Sequence, residues 1–148
     1  MPHDQDSAAE AALAAELRLA VMRLRRRMVG ERHPDNELSI GAMAVLGCLH
    51  ARGEQTAAEL ARHERVQPPT MTRMVHWLAE RGHVTRRPHE TDGRQVLVSL
   101  TDKGRQTVFA DRDRRDAWLA RRLVDLDPAE VDAIRAAVPV LTRLAQGD

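Results

Sequence analysis

The hydrophobic period breaks from helical to alternating just past the middle of this chain, and that change constrains the fold more than any other feature. Up to Arg81 the apolar residues recur at three- and four-residue steps, as in helices that bury one face. Beyond Gly82 the spacing drops to two: Val96, Val98 and Leu100 alternate with Gln95, Leu97 and Ser99, and Val84–Arg87 can supply the partner strand. The intervening Pro88-His89-Glu90-Thr91-Asp92-Gly93-Arg94 holds a Pro, an Asp-Gly pair and no apolar residue. It is expected to project into solvent as the tip of a long hairpin.

Start and stop signals divide the rest into six helices. From about Ser7, the expected N-cap, to Val29, residues Leu13, Leu17, Val21, Leu24 and Met28 form an amphipathic stripe. Gly30–Asn36 reads as a loop. Ser39 caps a second helix to about Arg52, with Leu38 and Met43 as a hydrophobic staple and Gly53 as the stop. Thr56-Ala57-Ala58-Glu59 is a capping box that opens a short helix to about His63. Pro68 suits the first position of a fourth helix running to about Arg81. Thr101 caps a fifth, about Asp102 to Val124. Leu126-Asp127-Pro128-Ala129-Glu130-Val131 stacks a cap, a Pro, a Glu and a staple before the last helix, whose stripe is Ile134, Val138, Leu141 and Ala145. Pro139 lies inside that stripe, where a kink is expected.

Composition narrows the function classes. A chain of 148 residues, 43% hydrophobic, fits a single compact unit. The net charge of +1 confines any basic patch to a local surface. Aromatic residues are 2% of the chain, too few for base-stacking platforms on single-stranded nucleic acid. The lone Cys48 excludes an intramolecular disulfide or a multi-cysteine metal site and fits a reducing compartment. No signal peptide is read at the acidic start, and the longest apolar run, about Ala42 to Leu49, falls well short of the roughly 20 residues of a membrane span. A cytoplasmic protein without membrane partner, cofactor or metal is expected.

A capped short helix, a tight connection, a helix opened by Pro68 and then a β-hairpin is the order of a winged helix-turn-helix, which points to double-stranded DNA. At 100° per residue the fourth helix turns Met71, Met74, Val75 and Leu78 inward and Pro69, Thr72, Arg73, His76 and Glu80 outward, with Thr70 and Trp77 at the margin. Threonine can meet a phosphate or a thymine methyl, and arginine a guanine or a phosphate. The helix N-terminus, with Gln67 before it, favours anions. The wing offers Arg86, Arg87, His89 and Arg94, and an arginine at a loop tip fits a narrow minor groove. Asp92 is placed to orient the Arg94 guanidinium through a bidentate pair.

The runs Gly82-His83-Val84-Thr85-Arg86 and Asp92-Gly93-Arg94-Gln95-Val96-Leu97-Val98-Ser99-Leu100-Thr101-Asp102-Lys103-Gly104 resemble the wing signature of the multiple-antibiotic-resistance regulator (MarR) family. Pro69-Thr70-Met71-Thr72-Arg73-Met74-Val75 is similar to that family's recognition helix, and the helix order matches from about residue 8 to 146. Pro68-Pro69 departs from the serine and small residue that many relatives carry. The resemblance implies a bacterial homodimer on a pseudo-palindromic operator, usually a repressor released by a small phenolic or other lipophilic effector. It gives Asp92 and Arg94 the wing-tip roles and Thr70, Thr72 and Arg73 the major-groove roles. The expected architecture is mainly α, an α+β winged helix-turn-helix of about six helices with a two-stranded wing. Residues 7–146 form the domain, 39–103 the DNA-binding module, and 7–37 with 104–146 the dimerisation helices. The amphipathic first and last helices need a partner by themselves, and a two-fold pair would set its reading helices about 34–36 Å apart.

Other features have plainer readings. Arg25-Arg26-Arg27 reads as a solvated face. Cys48, among Ala44, Val45 and Leu49, reads as a small hydrophobe, with a thiol-based redox switch as the alternative. The seven histidines show no HxxxH spacing. Trp77, Met74 and Trp118 read as packing. The chain lacks GxGxxG, Walker, GxSxG and HExxH motifs and its carboxylates read as scattered over charged helix faces, so no enzyme is expected. A helical interaction module that does not bind DNA is the remaining competitor.

Overall fold

The computed structural model describes residues 2–146. Six helices and three short strands follow in the order α1 Pro2–Gly30, α2 Ile40–Arg52, β1 Gln55–Thr56, α3 Ala57–His63, α4 Pro68–Glu80, β2 Val84–Pro88, β3 Val96–Leu100, α5 Asp102–Val124 and α6 Pro128–Gln146. The chain divides into two compact units. One runs from Arg32 to Arg114; the other combines the segment up to Glu31 with that from Arg115 on.

Local signals set most boundaries in the first unit. The Ser39 hydroxyl accepts from the Ala42 N–H at 3.1 Å to open α2, and Gly53, at φ 78°, closes it in a conformation that favours glycine. At α3 both halves of the capping box form: Thr56 Oγ1 accepts from the Glu59 N–H at 3.1 Å, and a Glu59 carboxylate oxygen accepts from the Thr56 N–H at 2.8 Å. The Thr101 hydroxyl accepts from the Gly104 N–H at 3.1 Å to start α5. The core gathers Leu38, Ala42, Val45, Leu46 and Leu49 with Leu60, Met71, Val75, Leu78, Val84 and Val98, all buried. Apolar burial of this kind is the main driving force for the module.

The expected two-stranded wing forms as β2 and β3, and β1 joins it in a three-stranded antiparallel sheet, ordered β1-β3-β2. β1 pairs Gln55 with Val98 and Thr56 with Leu97, while β2 runs from Val84 opposite Leu100 to Pro88 opposite Val96. A two-residue strand is too short to show a period, so only its distant partner reveals it.

In the second unit, Ser7 lies within α1, which begins at Pro2, so it is not the N-cap expected of it. A proline costs a helix nothing in its first turn, and the alanine-rich segment after it propagates the helix readily. α6 is opened by a second reciprocal pair: Asp127 Oδ1 accepts from the Glu130 N–H at 2.8 Å and Glu130 Oε2 from the Asp127 N–H at 3.0 Å. It continues through Pro139 to Gln146. Trp118 is buried, with the Arg122 guanidinium 4.5 Å from its ring centroid.

Candidate nucleic-acid interface

α4 separates its two faces as the helical period requires. Met71, Val75 and Leu78 are buried and Met74 is half-buried, whereas Gln67, Pro69, Thr70, Thr72, Arg73 and His76 are exposed. His76 Nε2 lies 3.2 Å from the Glu80 carboxylate on the outer face. The exposed Thr72 donates its hydroxyl to the Pro68 carbonyl at 3.0 Å.

The start of α4 is a poorer anion site than helix N-termini in general. Pro68 and Pro69 carry no N–H, and both the Thr70 and Met71 amides donate to the Gln67 carbonyl, at 3.0 and 3.1 Å. The Gln67 side chain makes no capping bond. Any anion at this end would meet side-chain donors rather than free amides. Two that the sequence reading passed over flank this end: Arg62 and Arg65, which line a groove of about 460 Å³ with Gln67 and Pro68. Arg65 occupies the tight turn before α4 with φ 52°, a left-handed conformation uncommon for residues other than glycine.

The wing carries its cations on two sides, because successive strand residues alternate faces. Arg86 and Arg94 line a cleft of about 300 Å³ with Thr72, Pro68 and Gln95, so β2, the tip and α4 converge there. Arg87 is engaged elsewhere: its Nη2 lies 2.6 Å from Glu54 Oε1 and its Nε donates to Glu54 Oε2 at 3.3 Å. A hydrogen bond from the Ser99 hydroxyl, and then those from Arg87, hold the Glu54 carboxyl below its ordinary pKa.

The tip is organised differently from expectation. Asp92 Oδ1 accepts from the Arg94 backbone N–H at 3.1 Å rather than from its guanidinium, and Oδ2 accepts from Gln95 Nε2 at 3.4 Å. A two-residue separation favours this Asx turn, since a carboxylate reaches the nearby amide more readily than a long side chain folds back to it. His89 Nδ1 accepts from the amides of Thr91 and Asp92, both at 3.3 Å, which folds the loop around the half-buried imidazole.

α4 is also fixed at its far end. Thr101 Oγ1 donates to the Gly82 carbonyl at 2.6 Å, the Thr101 N–H to the His83 carbonyl at 3.1 Å, and Lys103 Nζ to the Arg81 carbonyl at 2.8 Å. The end of α4, the start of the wing and the start of α5 are thereby one joint. Within the same unit Asp111, fully buried on α5, accepts from the His33 N–H at 3.1 Å and from Asn36 Nδ2 at 2.8 Å. This carboxylate, expected on a charged helix face, is therefore part of the interior.

Comparison with known proteins places this geometry. The MarR family model matches residues 38–96. An uncharacterised HTH-type transcriptional regulator of Mycobacterium bovis is 44% identical over 135 residues, which are 91% of this chain and 94% of that protein. The crystal structure of a candidate transcriptional regulator from Pseudomonas aeruginosa superposes with a TM-score of 0.81 at 33% identity, covering 94% of this chain and 98% of that one. A Staphylococcus aureus MepR mutant bound to an oligodeoxyribonucleotide shares the fold, with a TM-score of 0.66 at 18% identity over 89% of this chain and 97% of that one. The chain belongs to the MarR family of winged helix-turn-helix, DNA-binding transcriptional regulators, which are not enzymes.

Proposed function

We propose that the protein is a homodimeric repressor that reads a pseudo-palindromic operator through α4 and the wing. The observation that carries this reading is the convergence of Thr72, Arg86 and Arg94 on one cleft beside the exposed outer face of α4. In this assignment Thr70, Thr72, Arg73 and His76, with Gln67 and Pro69 at the helix start, meet the major groove and its phosphates. Arg86 and Arg94 enter the adjacent minor groove or its rim, with His89 and Asp92 shaping the tip. Residues 39–103 are the reading module, and 7–37 with 104–146 are the dimerisation helices.

Uncovered apolar stripes support the dimer. α6 buries none of its residues, and Ile134, Val138 and Leu141 are 43%, 53% and 38% exposed, as are large parts of Leu13, Val21 and Leu24 on α1. Apolar surface on this scale marks an interface, because its burial is favourable by about 25 cal/mol per Å².

Release by a small lipophilic or phenolic effector follows from the family's usual behaviour, and the joint at Gly82, Thr101 and Lys103 supports a mechanism. A tilt of α5 would carry the reading face with it, so an effector that prefers one tilt shifts the spacing of the two recognition helices. Hydroxyl-radical footprinting on the gene's own upstream DNA, with sedimentation equilibrium of the free protein, tests the reading. The expected result is a dimer that protects two regions with centres about 34–36 Å apart. A monomer, or a single isolated protection, would contradict it.

A further inference from the structure

Glu54 sits in the turn before β1 and touches both other strands. Its carboxylate receives two N–H groups of Arg87 on β2, and Oε2 accepts from the Ser99 hydroxyl on β3. Arg87 and Ser99 share a face of the sheet, because Arg87 pairs with Leu97 and Ser99 stands two residues along β3. Arg86, its neighbour on β2, points to the opposite face and lines the cleft beside α4. Arg87 also lies 3.5 Å from the Glu90 carboxylate at the wing tip, so two acidic groups surround it.

Exposed ion pairs contribute little to stability, and this one is partly open to solvent on both sides, with the two side chains 48% and 34% exposed. Its effect is on where charge is placed. A fork of two nitrogens on one carboxylate fixes the direction of the guanidinium as well as its distance. The anion cancels the cation that would otherwise add a phosphate contact without sequence preference.

We propose that Glu54 is a positioning residue for DNA reading: it braces the wing across all three strands and withholds Arg87 from the phosphates, so that Arg86 and Arg94 supply the wing's cations. This rests on the reading that the wing meets DNA.

The test is a salt series of fluorescence anisotropy on the upstream duplex and on an unrelated duplex. It uses wild type, Glu54→Gln, Arg87→Gln, the double variant, and Arg94→Ala as a reporter of the wing itself. Glu54→Gln keeps the size of the side chain and a partner for Ser99, and melting curves confirm that each variant folds. Glu54→Gln is expected to bind the unrelated duplex more tightly, to steepen its log–log slope by up to about 0.9, and to lower the ratio of specific to unrelated affinity. Removing Arg87 should then flatten the slope more in the Glu54→Gln background than in wild type. Equal losses in the two backgrounds, or no change in Glu54→Gln, would overturn the proposal while an effect of Arg94→Ala leaves the wing reading intact. If Arg94→Ala changes nothing, the wing reading falls and Glu54's role falls with it.

Discussion

Gly104, in the first turn of α5, packs its Cα against the carbonyl of His83 so closely that a Cβ there would overlap the oxygen and come within 2.9 Å of Leu100 Cδ2. The obstacle is backbone and cannot rotate away. Gly104→Ala must therefore push α5 off the wing, and overpacking of this kind costs about 1–3 kcal/mol. Urea denaturation checks it. Gly47, within α2, has no such neighbour, and Gly47→Ala is expected to leave stability unchanged or raise it by up to about 1 kcal/mol.

The same joint makes stability depend on pH. His83 is buried, and its pKa is pushed below the ordinary 6.5 by that burial and then by the charges of Lys103 and Arg81. The folded imidazole resists a proton that the unfolded chain accepts, so the unfolded state gains as acid is added. Stability is expected to be full above about pH 6.5 and to decline as pH falls through that value, levelling off below the folded pKa. Thermal melting against pH should show this decline above the range in which Glu54 and Glu59, both held below 4.5, lose their bonds. His83→Gln should flatten the upper part of the curve.

Cys48 is half-buried at the edge of the core, and its thiol pKa is raised, first by burial and then by the charge of Glu64. Less thiolate means slower chemistry. Alkylation at neutral pH is expected to be slower in the folded protein than in urea, and Cys48→Ala should keep DNA affinity and its response to mild peroxide unchanged. Loss of binding under peroxide that Cys48→Ala abolishes would favour the redox reading.

Most of the fold was legible because its boundaries are local. Ser39, Thr56, Thr101 and Asp127 each act within three residues, and Gly53 and Gly82 stop their helices through positive φ, 78° and 76°. The faces of α4 followed from its period alone. What escaped depends on partners distant in sequence. β1 exists through Val98 and Leu97, Glu54 through Arg87 and Ser99, and the buried Asp111 through His33 and Asn36, some 75 residues away or more. Asp111 lies in the run Asp111-Arg112-Asp113-Arg114, whose composition resembles a solvated face. At the wing tip the misreading was local: between an ion pair and an Asx turn, the backbone amide of Arg94 won because it was already within reach of Asp92.

In the proposed function α4 and the wing grip duplex DNA, with Arg94 at the tip. This grip is tested most directly by anisotropy titration of the upstream intergenic duplex across a salt series, with wild type and Arg94→Ala side by side. Wild-type binding is expected to weaken steeply with salt, and Arg94→Ala to form a weaker complex whose log–log slope is lower by about 0.9. Identical slopes and affinities for the two proteins, or wild-type binding that does not respond to salt, would contradict it.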